Sequence, residues 1–270
     1  MSAPVACVPA RLNVHNRNKT QKDGSSVHPF LPFRGAAVPF VKEKRPPILL
    51  CDGRMPGALQ EELSFYGRVL PLPPYEKLPA PVCGHPDLLV FYDGETLYTF
   101  LDYYRAHLPL FESLPCRVRP LALEAGVYPF DLPLDVLLFG GALIGREEFI
   151  PLELSEGRRV VSVKQGYAKC SSLVFGGCLV TSDGGIARAG RVLGGEVCRI
   201  CPGFIALPGY DCGFIGGASG VVGQEVLFFG DPTRHPDGER ILSLISASGF
   251  EWKGLLDLPL TDYGGLTVIF

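Results

Sequence analysis

No apolar run in the 270-residue chain approaches the roughly 20 residues that cross a bilayer as a helix. Its first residues also lack a basic segment leading into an apolar core, the pattern of a secretory signal. Both absences point to a soluble protein of the cytoplasm with no membrane partner. Charge of one sign is missing too. The 25 Lys and Arg residues against 28 Asp and Glu leave a net charge of −3, which supplies no general attraction to nucleic acid or to an anionic surface. Small molecules or proteins are the expected partners. Nine cysteines are an odd number, and at 47% hydrophobic content the chain can bury a core without staples, so reduced thiols are expected in place of a disulfide framework. Cys198 and Cys201 make half a zinc signature, with no second pair or histidine at useful spacing; no metal or other cofactor is expected.

A phrase recurs five times: a polar step containing Asp or Gly, then an apolar β-type run, usually turned back by Gly. The copies are HPDLLVFYDGETLY from His85, PLDVLLFGGALIG from Pro133, KCSSLVFGGCLVTSD from Lys169, GFIGGASGVVGQEVLFFGD from Gly213 and a clipped DYGGLTVIF from Asp262. Anchored at Asp87, Asp135, Cys170, Ile215 and Gly264, they are spaced by 48, 35, 45 and 49 residues, a period that signals a repeat architecture. Most copies read as hairpins. β-Branched and aromatic runs flank Asp-Gly at 93–94 and Gly-Gly at 140–141 and 176–177, where tight turns need positive φ.

Helices separate some of these hairpins. Pro56 to Tyr66 starts with Pro in its first turn, places Leu59 and Leu63 on one face and stops at Gly67. Pro236 to Ser248 has acid in its first turn, Ile241, Leu244 and Ile245 on one face, and Gly249 as its stop. Strands follow them at Arg68 to Leu72 and Phe250 to Leu256, so the unit reads hairpin, helix, strand. The middle units look irregular: 147–156 is short and interrupted by Pro, and 185–195 holds four glycines. Residues 1–46, polar and proline-containing, read as an extension, and 47–270 as a single domain.

Five ββαβ units resemble the pentein fold, the α/β propeller of the guanidino-group-modifying enzymes, which include arginine and agmatine deiminases, dimethylarginine dimethylaminohydrolase and glycine amidinotransferase. A non-catalytic ribosome anti-association factor shares it. GHPD (84–87), VKQGYAKCS (163–171), GYDCGFIGGASG (209–220) and GDPTRHPD (230–237) are more closely similar to an uncharacterised bacterial family assigned this fold. The resemblance covers about Pro47 to Phe270 and implies a pseudo-symmetric propeller with a small-molecule ligand in a cleft on the ring axis. In the resembled enzymes a Cys of the last repeat attacks the guanidino carbon, a His moves protons and carboxylates grip the cation. Here the last repeat, Asp262 to Phe270, has no Cys, which favours a ligand-binding protein over a hydrolase or amidinotransferase. A protein-interaction module is a further alternative.

The candidates for chemistry follow. In an extended segment His85 and Asp87 share a face, where a carboxylate orients an imidazole; a strand-entry turn explains the same residues. Gly-His-x-Asp also resembles the deiminase motif. His235-Pro236-Asp237 repeats the triplet, although a helix start accounts for it, with Asp231 as an alternative cap. Cys170 is the best substitute nucleophile, because Lys164 and Lys169 lie close in sequence and a nearby cation lowers a thiol pKa; a core thiol is the plainer account. Lys164 and Tyr167 end a strand where a cleft would begin. Asp211 and Asp262 could grip a cation, and Gly216 and Gly217 let backbone approach a ligand or another strand.

Overall fold

The computed structural model describes residues 46–270, and its fifteen strands form five sheets of three. In chain order the elements are β1 (Ile48–Asp52), α1 (Gly57–Ser64) and β2 (Arg68–Leu72); then α2 (Pro86–Leu89), β3 (Val90–Tyr92), β4 (Thr96–Phe100), α3 (Leu101–Ala106), α4 (Leu108–Glu112) and β5 (Arg117–Leu121). The third group is β6 (Leu137–Phe139), β7 (Ala142–Gly145), α5 (Leu152–Ser155) and β8 (Arg159–Ser162). The fourth is β9 (Ser172–Phe175), β10 (Cys178–Thr181), α6 (Gly184–Val192) and β11 (Glu196–Arg199). The fifth is β12 (Ser219–Val222), β13 (Glu225–Phe228), α7 (Gly238–Ala247) and β14 (Glu251–Gly254), and the chain ends in β15 (Thr267–Ile269). The expected extension, apart from Pro46, lies outside the described residues. Among the described residues no helix is long and apolar enough to cross a membrane, and no disulfide forms.

Every sheet repeats one rule. The central strand pairs antiparallel with the strand before it and parallel with the strand after it, as in β4 with β3 and β5. An antiparallel neighbour needs only a tight turn, whereas a parallel one needs a crossover, which the helices supply. At the β6–β7 and β9–β10 turns both residues are Gly with positive φ, 56° and 75° at Gly140 and Gly141 and 50° and 84° at Gly176 and Gly177, the backbone a two-residue hairpin demands. The first sheet is assembled from both ends of the domain: β15 takes the antiparallel place beside β1, with Leu49 opposite Val268.

The central strands are mostly apolar and buried on consecutive residues because both their faces are covered. Ile48 and Leu50 of β1 pack against Leu89, Leu97 and Phe100 of the second unit, whose cluster continues to Leu143 of the third. Ile144, the next residue, faces Leu179 and Ile186 of the fourth. Val180 then meets Val226, Phe228 and Ile241 of the fifth, and Leu227 meets Leu49, Leu59 and Leu63 of the first. The antiparallel outer strands also neighbour one another: β9 lies beside β12, β12 beside β15, and β15 beside β3.

Two local expectations are corrected. Most of the four-glycine stretch folds into the regular helix α6, which runs from Gly184 to Val192 and leaves Gly194 and Gly195 beyond its end. Asp183 accepts a hydrogen bond from the Ile186 amide at 2.7 Å, capping the helix, and Gly190 faces the sheet where a Cβ would lie 2.5 Å from Leu179 Cδ2. Gly190 therefore permits close packing and does not break the helix. His85 to Asp87 is not extended: Pro86 occupies the first position of α2, and a single helical turn leads into β3.

Candidate functional site

The polar step that opens each repeat becomes the loop before that unit's first strand, and these loops converge on one buried cluster. Asp87 sits in the first turn of α2, its amide bonded to the Gly264 carbonyl at 3.2 Å. Asp135 closes a turn onto Leu132. Cys170 lies in the Tyr167–Ser171 turn ahead of β9, and Asp262 precedes β15. His85, Asp87, Asp135, Cys170 and Asp262 are all buried.

Asp135 Oδ1 accepts from the amides of Lys169 and Cys170 at 2.6 and 3.1 Å. Asp262 accepts from the Phe214 amide through Oδ2 and the Gly264 amide through Oδ1, both at 2.9 Å, and from the Cys170 thiol at 3.4 Å. His85 Nδ1 stands 3.7 Å from Asp262 Oδ1 and 4.0 Å from Asp87 Oδ1, and its Nε2 lies 3.8 Å from Asp52 Oδ2. Both oxygens of Asp87 and Oδ2 of Asp135 have no hydrogen-bond partner. One donor atom from each of Asp87, Asp135 and Cys170 lies within 4.8 Å of the others.

Burial dominates the electrostatics. It pushes the Asp87 carboxyl up to about 6, with His85 pulling the other way. Burial and the neighbouring Asp87 hold Asp135 well above the ordinary carboxylate range. The Cys170 thiol is likewise held well above its ordinary value, by burial first and then by Asp262, Asp87 and Asp135. This corrects the expectation of a thiol activated by lysines: Lys164 is exposed on a surface recess with Arg146, Glu148 and Ser162, because residues 163–171 form turns and not the strand that would align Lys164 with Cys170. Lys169 stays close, its Nζ 3.3 Å from Thr267 Oγ1, but three carboxylates outweigh it.

An aromatic row leads outward. Tyr167, half-buried, donates its hydroxyl to Asp131 Oδ2 at 2.7 Å, and its ring lies 6.3 Å from Phe214 and 6.0 Å from the exposed Tyr128. Asp131 is buried and its Oδ1 has no partner.

Gly216 and Gly217 do allow close approach. A Cβ on Gly216 would meet the carbonyl oxygens of Lys169 and Cys170 at 2.5 and 2.7 Å and that of Ser172 closer still, and one on Gly217 would overlap the Asp262 carboxylate. Backbone cannot yield as a side chain can, so Gly216→Ala is expected to cost about 3 kcal/mol, the upper range for overpacking. Urea denaturation checks this; an unchanged midpoint would contradict the packing described.

Besides Lys164, two more expected site residues lie elsewhere. His235 is buried on the loop before α7, where its Nδ1 accepts from the Asp237 amide at 3.0 Å and its ring meets Phe204 edge-on. Burial lowers its pKa. Asp237 accepts from the Cys201 amide at 2.7 Å and pairs with Arg240, so the triplet serves local structure, while Asp231 caps Thr233. Asp211 is exposed on its loop and is not drawn into the cluster. Conversely, the sequence alone assigns no site role to Asp52, Asp131 or Asp135. The signal for Asp135 was present, since it occupies in the second copy of the repeat the place Asp87 holds in the first.

The fold and its centre define a class: a repeat α/β protein of five three-stranded units whose opening loops bring carboxylates, a thiol and an imidazole together out of solvent. Within that class the chain belongs to a family of unknown function, DUF6873, whose model matches residues 50–267. No curated protein matches it.

Proposed function

We propose that the chain is a pentein-like α/β propeller that binds a small organic cation, a guanidino or amine compound, on the axis of its five units. The succession of apolar clusters from the first unit to the fifth and back to the first, with β15 paired to β1, supports the ring. The observation that carries the ligand class is that Asp87 and Asp135 are buried with three carboxylate oxygens lacking any hydrogen bond. Buried charge is costly unless paired, and a guanidinium or ammonium supplies both charge and donors in the required geometry. Tyr167, Phe214 and Tyr128 offer ring faces along the approach, suited to a cation or its apolar stem. Fold alone assigns no chemistry; the support for this ligand class comes from the buried carboxylates.

Thermal unfolding at pH 8 tests the proposal. Methylguanidinium and propylammonium chlorides are expected to raise the midpoint, sodium acetate is not, and Asp135→Asn removes the response. No response to either cation would refute it.

A Cys/His hydrolase or amidinotransferase is the second reading, favoured by one observation: Cys170 and His85 both face Asp262, at 3.4 and 3.7 Å. The raised thiol pKa weighs against it, because the thiolate is the nucleophile. Iodoacetamide is therefore expected to leave Cys170 unlabelled from pH 5 to 9 while the protein is folded, with Cys170→Ser identifying the signal. Rapid labelling below pH 7, slowed by His85→Ala, would transfer support to the enzyme.

A further inference from the structure

We propose that Asp87, Asp135 and Cys170 form a binding site for a thiophilic divalent metal ion, with zinc the best chemical match. The inference shares with the proposed function the premise that these carboxylates need a positive partner, and it assigns them a second one of different chemistry.

Position supports it first. The three residues come from three different units, each just ahead of its unit's first strand, Asp87 in the turn of α2 and the other two in loops, and one donor atom from each lies within 4.8 Å of the others. Asp135 is held by two backbone amides through Oδ1, which leaves Oδ2 without a partner; Asp87 has no hydrogen bond on either oxygen although it is only 1% exposed. Lone pairs are thus available where the thiol also sits. Zinc bonds of about 2.0–2.3 Å to oxygen and sulfur place donors somewhat closer together than 4.8 Å, so binding requires a modest inward movement of the side chains.

Donor type selects the metal. Magnesium and calcium prefer six or more oxygens, whereas a set of two carboxylates and one thiolate suits a borderline-soft ion that accepts four ligands. Charge agrees. Two carboxylates and a thiolate carry three negative charges, and Asp262, 3.4 Å from the thiol, places a fourth carboxylate beside them; a divalent ion offsets two of these charges, and Lys169 draws on both Asp87 and Asp135. Buried charge of one sign needs such a counter-charge. On binding, the thiol proton and any proton still held by the Asp87 or Asp135 carboxyl pass to buffer as the metal–ligand bonds form.

Cobalt(II) reports on this directly, because its bond to a thiolate produces a near-ultraviolet charge-transfer absorbance. Full-length protein treated with chelator and titrated with cobalt(II) at pH 8 is expected to develop that absorbance to one equivalent and to lose it when zinc is added. Cys170→Ser should abolish it, Asp87→Asn and Asp135→Asn should weaken cobalt binding at least tenfold, and Cys201→Ser, which alters an exposed thiol, should leave it unchanged. No absorbance, or one that survives Cys170→Ser, would overturn the proposal. The readout comes from sulfur, so a failure to bind methylguanidinium would count against the proposed function and leave this result standing.

Discussion

Asp87→Asn is expected to be more stable than the wild-type protein at pH 8 and to have no advantage at pH 4. The folded-state pKa of Asp87 is raised to about 6, above the ordinary 3.8 that an unfolded chain would show. Between these values the folded protein holds a proton that the unfolded chain has released. Stability from this carboxyl is therefore fully present below pH 4 and is lost as pH rises through 6. The difference corresponds to about 3 kcal/mol. An amide of the same shape avoids that loss, and its NH2 group has carboxylate acceptors nearby. Denaturant unfolding at pH 4, 6 and 8 gives the comparison. A variant less stable than wild type at every pH would show that the Asp87 carboxylate is needed for folding and not tolerated for a ligand.

Arg54→Ala should produce the opposite effect, a loss of about 3 kcal/mol at neutral pH, the lower end for stripping a partner from a buried ion. Asp52 is 1% exposed at the end of β1, and Arg54 grips both its oxygens, Nε to Oδ1 at 3.0 Å and Nη2 to Oδ2 at 2.6 Å. The same guanidinium donates to the carbonyls of Ala80 and Pro81, at 2.5 and 3.1 Å, and so ties the first unit to the segment that delivers His85. Alanine leaves Asp52 buried with only the amide of residue 54 on Oδ1, at 2.8 Å, and the His85 ring 3.8 Å from Oδ2. Adding Asp52→Asn should recover part of the loss, because the stranded charge goes with it. If the double variant is no more stable than Arg54→Ala, the cost lies in the carbonyl contacts and not in the ion pair.

Much of the fold could be read in the sequence wherever a residue type has one structural use. Arg68 to Leu72 is a strand to the residue, and the Gly-Gly turns form hairpins because two positive φ angles in succession admit little else. The helix α6 is masked in the sequence by its glycines, of which Gly190 is there to let Leu179 approach. Of the site, His85, Asp87, Cys170 and Asp262 were legible from repeat position and residue type, and so were Gly216 and Gly217. Lys164 stands apart because the chain turns away after β8, and His235 because its triplet forms the start of α7, the alternative the sequence also allowed. Asp52 gave no local sign, since its burial depends on the sheet closing with β15 and on Arg54 two residues on, neither of which a period of 35 to 49 residues reveals.

The affinity of the wild-type protein for methylguanidinium, measured by titration calorimetry from pH 5 to 8, tests the central claim most directly. Asp87 must ionise to pair with the cation, so affinity should climb as pH rises through about 6, with a shallower climb in Asp87→Asn. Absence of saturable binding at every pH, or an affinity independent of pH in the wild-type protein, would contradict a cation site built from these buried carboxylates.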